Sequence, residues 1–279
     1  MTALLSVQDL RITFPTRQGP SEVVRGVSFT LGRERLGIVG ESGSGKSQTG
    51  RAILGLTPSP GVATAKTLEF DGIDLRGATP ALWRSLRGIR MSMVMQDPKF
   101  SLNPVMTIGR QLMEAARRTS GRTSGRAEAK DRAMAMLDAV QIRDAARVFR
   151  AYPHELSGGM GQRAMIAMML ITEPDLLIAD EPTSALDVTV QIEVLRILDR
   201  LVSDRGMGLI FISHDLRLVS SFCDRVLVMY AGRVVEELKA SDLTQAKHPY
   251  TQGLFKCLPR IEGGTRPLPT LQRDAEWAL

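Results

Sequence analysis

The stretch that most constrains this chain is Gly40-Glu41-Ser42-Gly43-Ser44-Gly45-Lys46-Ser47. It follows an apolar run at 36–39 that reads as a buried strand, and it leads into residues 48–56, which can form a helix. A strand, a Gly-rich turn and a helix N-terminus make a phosphate cradle. Backbone N–H groups point inward, glycines let them approach, and the helix dipole favours an anion. The pattern G-x-x-x-x-G-K-[ST] is complete. Within it Lys46 would neutralise the β- and γ-phosphates of a nucleotide and Ser47 would ligate the magnesium ion that accompanies them, with the adjoining Gln48 completing the binding set. A ligand-free Gly/Ser turn is the bland alternative. The strand and helix on either side count against it.

At 279 residues, 43% hydrophobic and 24% charged, the chain can bury a large core as one compound domain or two small ones. Its longest apolar run, at 164–171, is eight residues, whereas a membrane-spanning helix needs roughly twenty. Residues 1–10 lack a basic n-region, so a cytoplasmic protein is expected. Cys223 and Cys257 are too few for a disulfide framework, a zinc site or an iron–sulfur cluster. The net charge of +6 is partly local to the basic run at 117–132, whose simplest reading is a solvated helical face.

Residues 5–14 and 24–31 alternate as two half-buried strands, with 15–21 as the turn between them. Residues 57–65 read as a Pro/Gly/Ala loop, 67–70 with Asp71-Gly72 as a strand and turn, and 88–95 as a strand ending at Gln96. The texture then becomes helical, with helices expected at 107–118 and 126–140. Strands at 176–179, 208–213 and 225–230 alternate with helices at 188–202 and 216–222, which implies parallel βαβ units. The fold class is therefore α/β, a mainly parallel sheet with an N-terminal antiparallel β subdomain and an inserted α-helical subdomain at about 97–165.

Two further motifs carry chemistry. Leu176-Leu177-Ile178-Ala179-Asp180-Glu181 is an apolar strand ending in two carboxylates, where Asp180 would hold magnesium and Glu181 would polarise an attacking water. Leu156-Ser157-Gly158-Gly159 places an N-cap and two glycines at the start of a helix expected at 158–171, whose positive end can receive a phosphate. The methionines of that helix are expected to fill an irregular core.

With these three motifs in order the chain resembles the ATP-binding cassette (ABC) ATPases, and the resemblance implies a RecA-like P-loop NTPase core. In that family ATP is sandwiched between one subunit's P-loop and the other's Ser157, Gly158 and Gly159 surface. The resemblance assigns Gln96 to the loop that links the magnesium site to the membrane partner. It assigns Ser184-Ala185-Leu186-Asp187 to the dimer-interface loop, His214 to the γ-phosphate switch and Phe14 to adenine stacking. Residues 1–257 would form the nucleotide-binding domain and 258–279 a short tail.

Narrower phrases, GESGSGKSQT at 40–49, MQDPKFSLNP at 95–104, YPHELSGGM at 152–160, IADEPTSALDVTVQ at 178–191 and HPYTQGL at 248–254, are similar to the ATPase subunits of bacterial importers for dipeptides, oligopeptides, nickel chelates and related solutes. That likeness implies ATP and magnesium as cofactors, two transmembrane permeases, a second homologous ATPase in a heterodimer or homodimer, and an indirect extracytoplasmic solute-binding protein. It places the chain at the cytoplasmic face of the bacterial inner membrane, with no nucleic acid involved. Gly161 departs from the family pattern, which usually carries a larger residue there. With no cysteine beyond Cys257, no iron–sulfur cluster is carried over. A soluble ABC ATPase acting on nucleic acid or ribosomes through the 117–132 basic run is the alternative.

Overall fold

The computed structural model describes residues 3–95, 101–119, 125–183, 186–257 and 277. The strands are β1 (Leu5–Thr16), β2 (Gly19–Leu31), β3 (Arg35–Val39), β4 (Val62–Thr64), β5 (Thr67–Phe70), β6 (Ile73–Asp74), β7 (Met91–Val94), β8 (Leu176–Asp180), β9 (Gly208–Ile212), β10 (Arg225–Tyr230) and β11 (Arg233–Lys239). The α-helices are α1 (Lys46–Ile53), α2 (Pro80–Leu86), α3 (Ile108–Thr119), α4 (Arg126–Ala139), α5 (Ala145–Arg150), α6 (Gly158–Leu170), α7 (Val188–Arg205), α8 (Leu216–Phe222) and α9 (Pro249–Lys256). They divide into two compact units, Met1–Ala78 with Ile210–Leu279, and Thr79–Leu209.

In the first unit β2, β1, β5 and β6 form an antiparallel sheet in that order, with β4 also on β1. The β1–β2 hairpin is longer than the sequence suggests, because Phe14 pairs with Ser21 and Pro15 with Pro20. The expected turn at 15–21 thus contracts to Arg17 and Gln18, closed by Thr16 Oγ1 donating to Gly19 O at 2.6 Å. Proline removes a ladder donor, a loss tolerated at the open end of a hairpin. The expected loop at 57–65 contains β4, whose three residues are all exposed and are held by backbone pairing to Arg11, Ile12 and Thr13.

The same unit carries β11, β10, β3 and β9 in that order. β10 runs parallel to β3, from Arg225 opposite Leu36 to Val228 opposite Val39, and antiparallel to β11. Leu36, Ile38, Val39, Val226, Leu227 and Val228 are completely buried. Continuous apolar runs of this kind are what a sheet covered on both faces requires, and each such side chain contributes about 1.5–3 kcal/mol on burial. Charged clamps close one end: Arg35 Nη2 donates to Asp224 Oδ1 at 2.7 Å, and Arg225 Nη2 donates to Glu34 Oε1 at 2.8 Å.

In the second unit β7 and β8 pair in parallel, from Met91 opposite Leu176 to Val94 opposite Ala179. β7 starts later than expected because Gly88, at φ 68°, turns the chain first and Arg90 N donates back to Leu86 O. The helical periodicity read from the sequence is the buried stripe seen here: Ile108, Leu112 and Ala116 on α3, and Ala129, Ala133 and Leu137 on α4. Arg132 of α4 donates to Ala116 O at 3.3 Å and to Ile171 O at 2.8 Å, tying down the carbonyl ends of α3 and α6. Met165 of α6 is fully buried, as packing requires.

Candidate nucleotide site

The loop between β3 and α1 is shaped by two glycines. Gly40 has φ 151°, and a Cβ there would lie 2.1 Å from Met229 O, so only glycine lets the loop press against the end of β10. Gly45 caps α1 at φ 98°, where a Cβ would lie 2.8 Å from Val23 O. No acidic side chain occupies the first turn of α1, so its positive end carries no competing carboxylate. Ser47 sits half-buried in that turn.

Lys46 is only 7% exposed. Its ammonium donates to Gly40 O at 2.8 Å, to Glu41 O at 2.7 Å and to Ser44 Oγ at 3.5 Å, so the loop's own oxygens surround the charge. Gln48 Oε1 is buried without a hydrogen-bond partner, an orphaned polar atom beside the cradle. Ser42 and Gly43 lie exposed at the loop's crest.

His214 follows β9 on a rigid mount. Ser213 N donates to Ile38 O of β3 at 3.2 Å, and Asp215 caps α8 by accepting from Arg217 N and Leu218 N at 2.9 and 3.1 Å. The first unit thus brings the strand end before His214 beside β3, from which the phosphate loop departs. Phe14 lies on the hairpin, half-buried. A Cβ on Gly61 would come within 2.4 Å of its ring, so Gly61 is what lets the ring lie there.

The second unit holds the other predicted residues. Asp180 ends β8 almost fully buried, and Glu181 follows at φ 49°, left-handed backbone that costs a residue with a side chain about 1–2 kcal/mol. Ser157 caps α6, its Oγ accepting from Met160 N at 3.4 Å, and Gly158 is exposed with open space where a Cβ would stand. Gly159 is half-buried, while Gly161 is buried within this chain, its N–H bonded to Ser157 O at 2.9 Å. Asp187 is exposed and caps α7 by accepting from Val190 N at 3.1 Å. Burial lowers the pKa of the neighbouring Arg163 guanidinium, partly opposed by the charge of Asp187. Gln96, Ser184 and Ala185 lie outside the described residues.

Two contacts were not anticipated from the sequence. Gln162 of α6 donates through Nε2 to Pro182 O, tying the LSGG helix to the segment just after Glu181. Tyr250 accepts through its hydroxyl from Glu41 N at 2.9 Å. The HPY phrase at 248–250 was the available signal for the second.

The family model described as ABC transporter matches residues 24–184, more than half of the chain. The chain is 45% identical over 272 residues to the dipeptide transport ATP-binding protein DppD of Haemophilus influenzae, covering 97% of this chain and 82% of that protein. It is 47% identical over 261 residues to the oligopeptide transport ATP-binding protein OppD of Salmonella typhimurium, covering 93% and 77%. Among solved structures, the dimeric post-hydrolysis state of the ATP-binding cassette MJ0796, bound to ADP and Pi, aligns with a TM-score of 0.75 at 25% identity, covering 85% of this chain and 98% of that one.

Proposed function

The chain belongs to the ATP-hydrolysing subunits of ABC transporters of the dipeptide and oligopeptide type, and on that premise we propose that it drives peptide import by closing against a second, homologous ATPase beneath two permeases. The observation that carries the reading is the Lys46 ammonium gathered by Gly40 and Glu41 carbonyls at the head of an acid-free helix. The relatives are transport proteins, and they give no support to a soluble machine acting on nucleic acid or ribosomes.

In the proposed cycle Gly40, Glu41, Ser42, Gly43, Ser44, Gly45, Lys46, Ser47 and Gln48 hold the phosphates of ATP, and Phe14 stacks on its adenine. Ser157, Gly158 and Gly159 of the opposite subunit cover the γ-phosphate, and Asp187 faces that interface. Glu181 orients a water for attack on the γ-phosphorus and takes its proton as the bond to ADP breaks. His214 contacts the γ-phosphate, and Gln96 passes the state of the site to the permeases.

The donors Ser47, Asp180 and Gln96 are hard oxygen ligands of the type magnesium takes, and Asp180 is held almost fully buried at its strand end. Among the described residues no group of three or more His, Cys, Asp or Glu could hold a metal ion. When bound, magnesium neutralises charge on the β- and γ-phosphates. Among the described residues no helix is long and apolar enough to cross a membrane. The proposed location is the cytoplasmic face of the inner membrane, with a solute-binding protein on the far side delivering peptide.

The test is Glu181→Gln in a transporter reconstituted with both permeases and the partner ATPase. ATP binding is retained, while hydrolysis and peptide uptake fall by about 100-fold or more. Turnover within a few-fold of the unsubstituted protein removes Glu181 from the chemistry.

A further inference from the structure

The chemistry above leaves Tyr250 without a task, yet it is completely buried despite its hydroxyl. Two anchors hold it there. His248 caps α9, its Nδ1 accepting from Tyr250 N at 3.2 Å, and Glu236 of β11 accepts from Lys247 N at 2.7 Å and His248 N at 3.3 Å. The ring packs at 4.5 Å from that of Tyr230 and 6.0 Å from that of Trp277.

From this mount the hydroxyl accepts from Glu41 N at 2.9 Å. That N–H and the Gly40 carbonyl belong to one planar peptide unit. Its oxygen end accepts from Lys46 Nζ at 2.8 Å. The peptide between residues 40 and 41 is thus gripped at both ends, by α9 on one side and by the phosphate-binding lysine on the other. A flip of that plane would exchange the acceptor facing Lys46 for a donor and would remove one of the acceptors that hold the ammonium in the loop.

We propose that Tyr250 is a positioning residue for nucleotide binding: its hydroxyl fixes the 40–41 peptide plane and so keeps the phosphate loop, with Lys46 in it, in the binding-ready shape before ATP arrives. The inference rests on the phosphate-binding reading of that loop. It gives the HPY phrase a physical role, a strut from the C-terminal helix to the cradle.

The experiment compares Tyr250→Phe with Lys46→Ala in the full chain, by calorimetric titration with ATP, and follows KM and kcat of the assembled transporter. Tyr250→Phe keeps the ring packing and removes the hydroxyl that accepts from Glu41 N, so the Kd for ATP and the KM should rise about five- to tenfold while kcat at saturation stays within twofold. A purely structural role would instead lower the fraction of competent sites, reducing binding stoichiometry and kcat with Kd and KM unmoved; that outcome, or a Kd within twofold of wild type, overturns the proposal. Hydrogen exchange on the unsubstituted, nucleotide-free protein gives an independent reading. The Glu41 amide should be protected, and exchange at the rate of an open loop overturns the strut without recourse to any variant. If Lys46→Ala binds ATP normally, the phosphate-loop reading falls and the strut with it. If Lys46→Ala loses binding and Tyr250→Phe does not, only the strut fails.

Discussion

Replacing Lys46 by Ala tests how the loop stores its charge. In the nucleotide-free protein two effects oppose each other. The substitution relieves the desolvation of an ammonium that is only 7% exposed, and it strips Gly40 O and Glu41 O of donors at 2.8 and 2.7 Å. Hydrogen bonds from a charged donor contribute about 1.5–3 kcal/mol each, and the burial penalty of a cation is several kcal/mol, so the two nearly cancel. The melting temperature should move by only a few degrees, at about 2–4 °C per kcal/mol for a chain of this size. With ATP present the cancellation is only partial. A charge about 4 Å from a phosphate charge near a protein surface contributes about 4 kcal/mol, against which the ammonium gives up part of its hold on the loop carbonyls. A net loss of about 3 kcal/mol raises the Kd for ATP about 150-fold. ADP, with fewer phosphate charges to lose, should suffer less. Calorimetric titration of both nucleotides alongside thermal melts measures all three quantities. An ATP affinity within fivefold of wild type at an unchanged melting temperature would refute the idea that Lys46 leaves its carbonyls for the phosphates.

Two predictions concern protonation. Burial pushes the Asp224 carboxyl up, but hydrogen bonds from the Arg35 side chain and backbone, with its charge, outweigh this and hold the pKa below the ordinary 3.8. A depressed carboxyl stabilises the fold above its ordinary value and loses that contribution as pH falls through the folded one. Asp224→Asn should therefore lower the melting temperature at pH 7 by the few degrees that correspond to roughly 1 kcal/mol for a partly exposed pair, and the two curves should converge below about pH 4. A gap constant from pH 7 to pH 3 contradicts this. Burial also pushes the Cys223 thiol up to about 12, with a further push from Asp224. A disulfide reagent at pH 8 should label Cys257 in the folded protein and reach Cys223 only after unfolding.

What could be read from the sequence was whatever is written in neighbouring residues. The phosphate loop is local backbone chemistry, and α3 and α4 follow from apolar spacing that the buried faces reproduce. Most of the misses share a cause. β4 is three exposed residues defined only by pairing with Arg11, Ile12 and Thr13, so no burial pattern announces it. The hairpin end was read as a turn because Pro15 and Pro20 look like breakers, yet they face each other across the ladder. α2 is the exception, since Thr79 as cap and Pro80 in the first turn are local signals of a helix start. Tyr250 acts on a backbone amide 209 positions away, a partnership no local pattern encodes.

The pairing of β3 with β10 has a consequence for synthesis. Arg35 and Asp224 lie 189 residues apart, and the strand that launches the phosphate loop meets β10, its parallel neighbour on one side, only after that interval has been translated. At roughly 5–20 residues per second the interval lasts about 10 to 40 s. Throughout it the β3 segment, Leu36 and Ile38 included, lacks the strand that covers one of its two edges. A nascent chain halted before residue 225 carries the whole phosphate-loop sequence but lacks β10, whose Met229 carbonyl lies against Gly40, so the loop's surroundings are completed only late in synthesis.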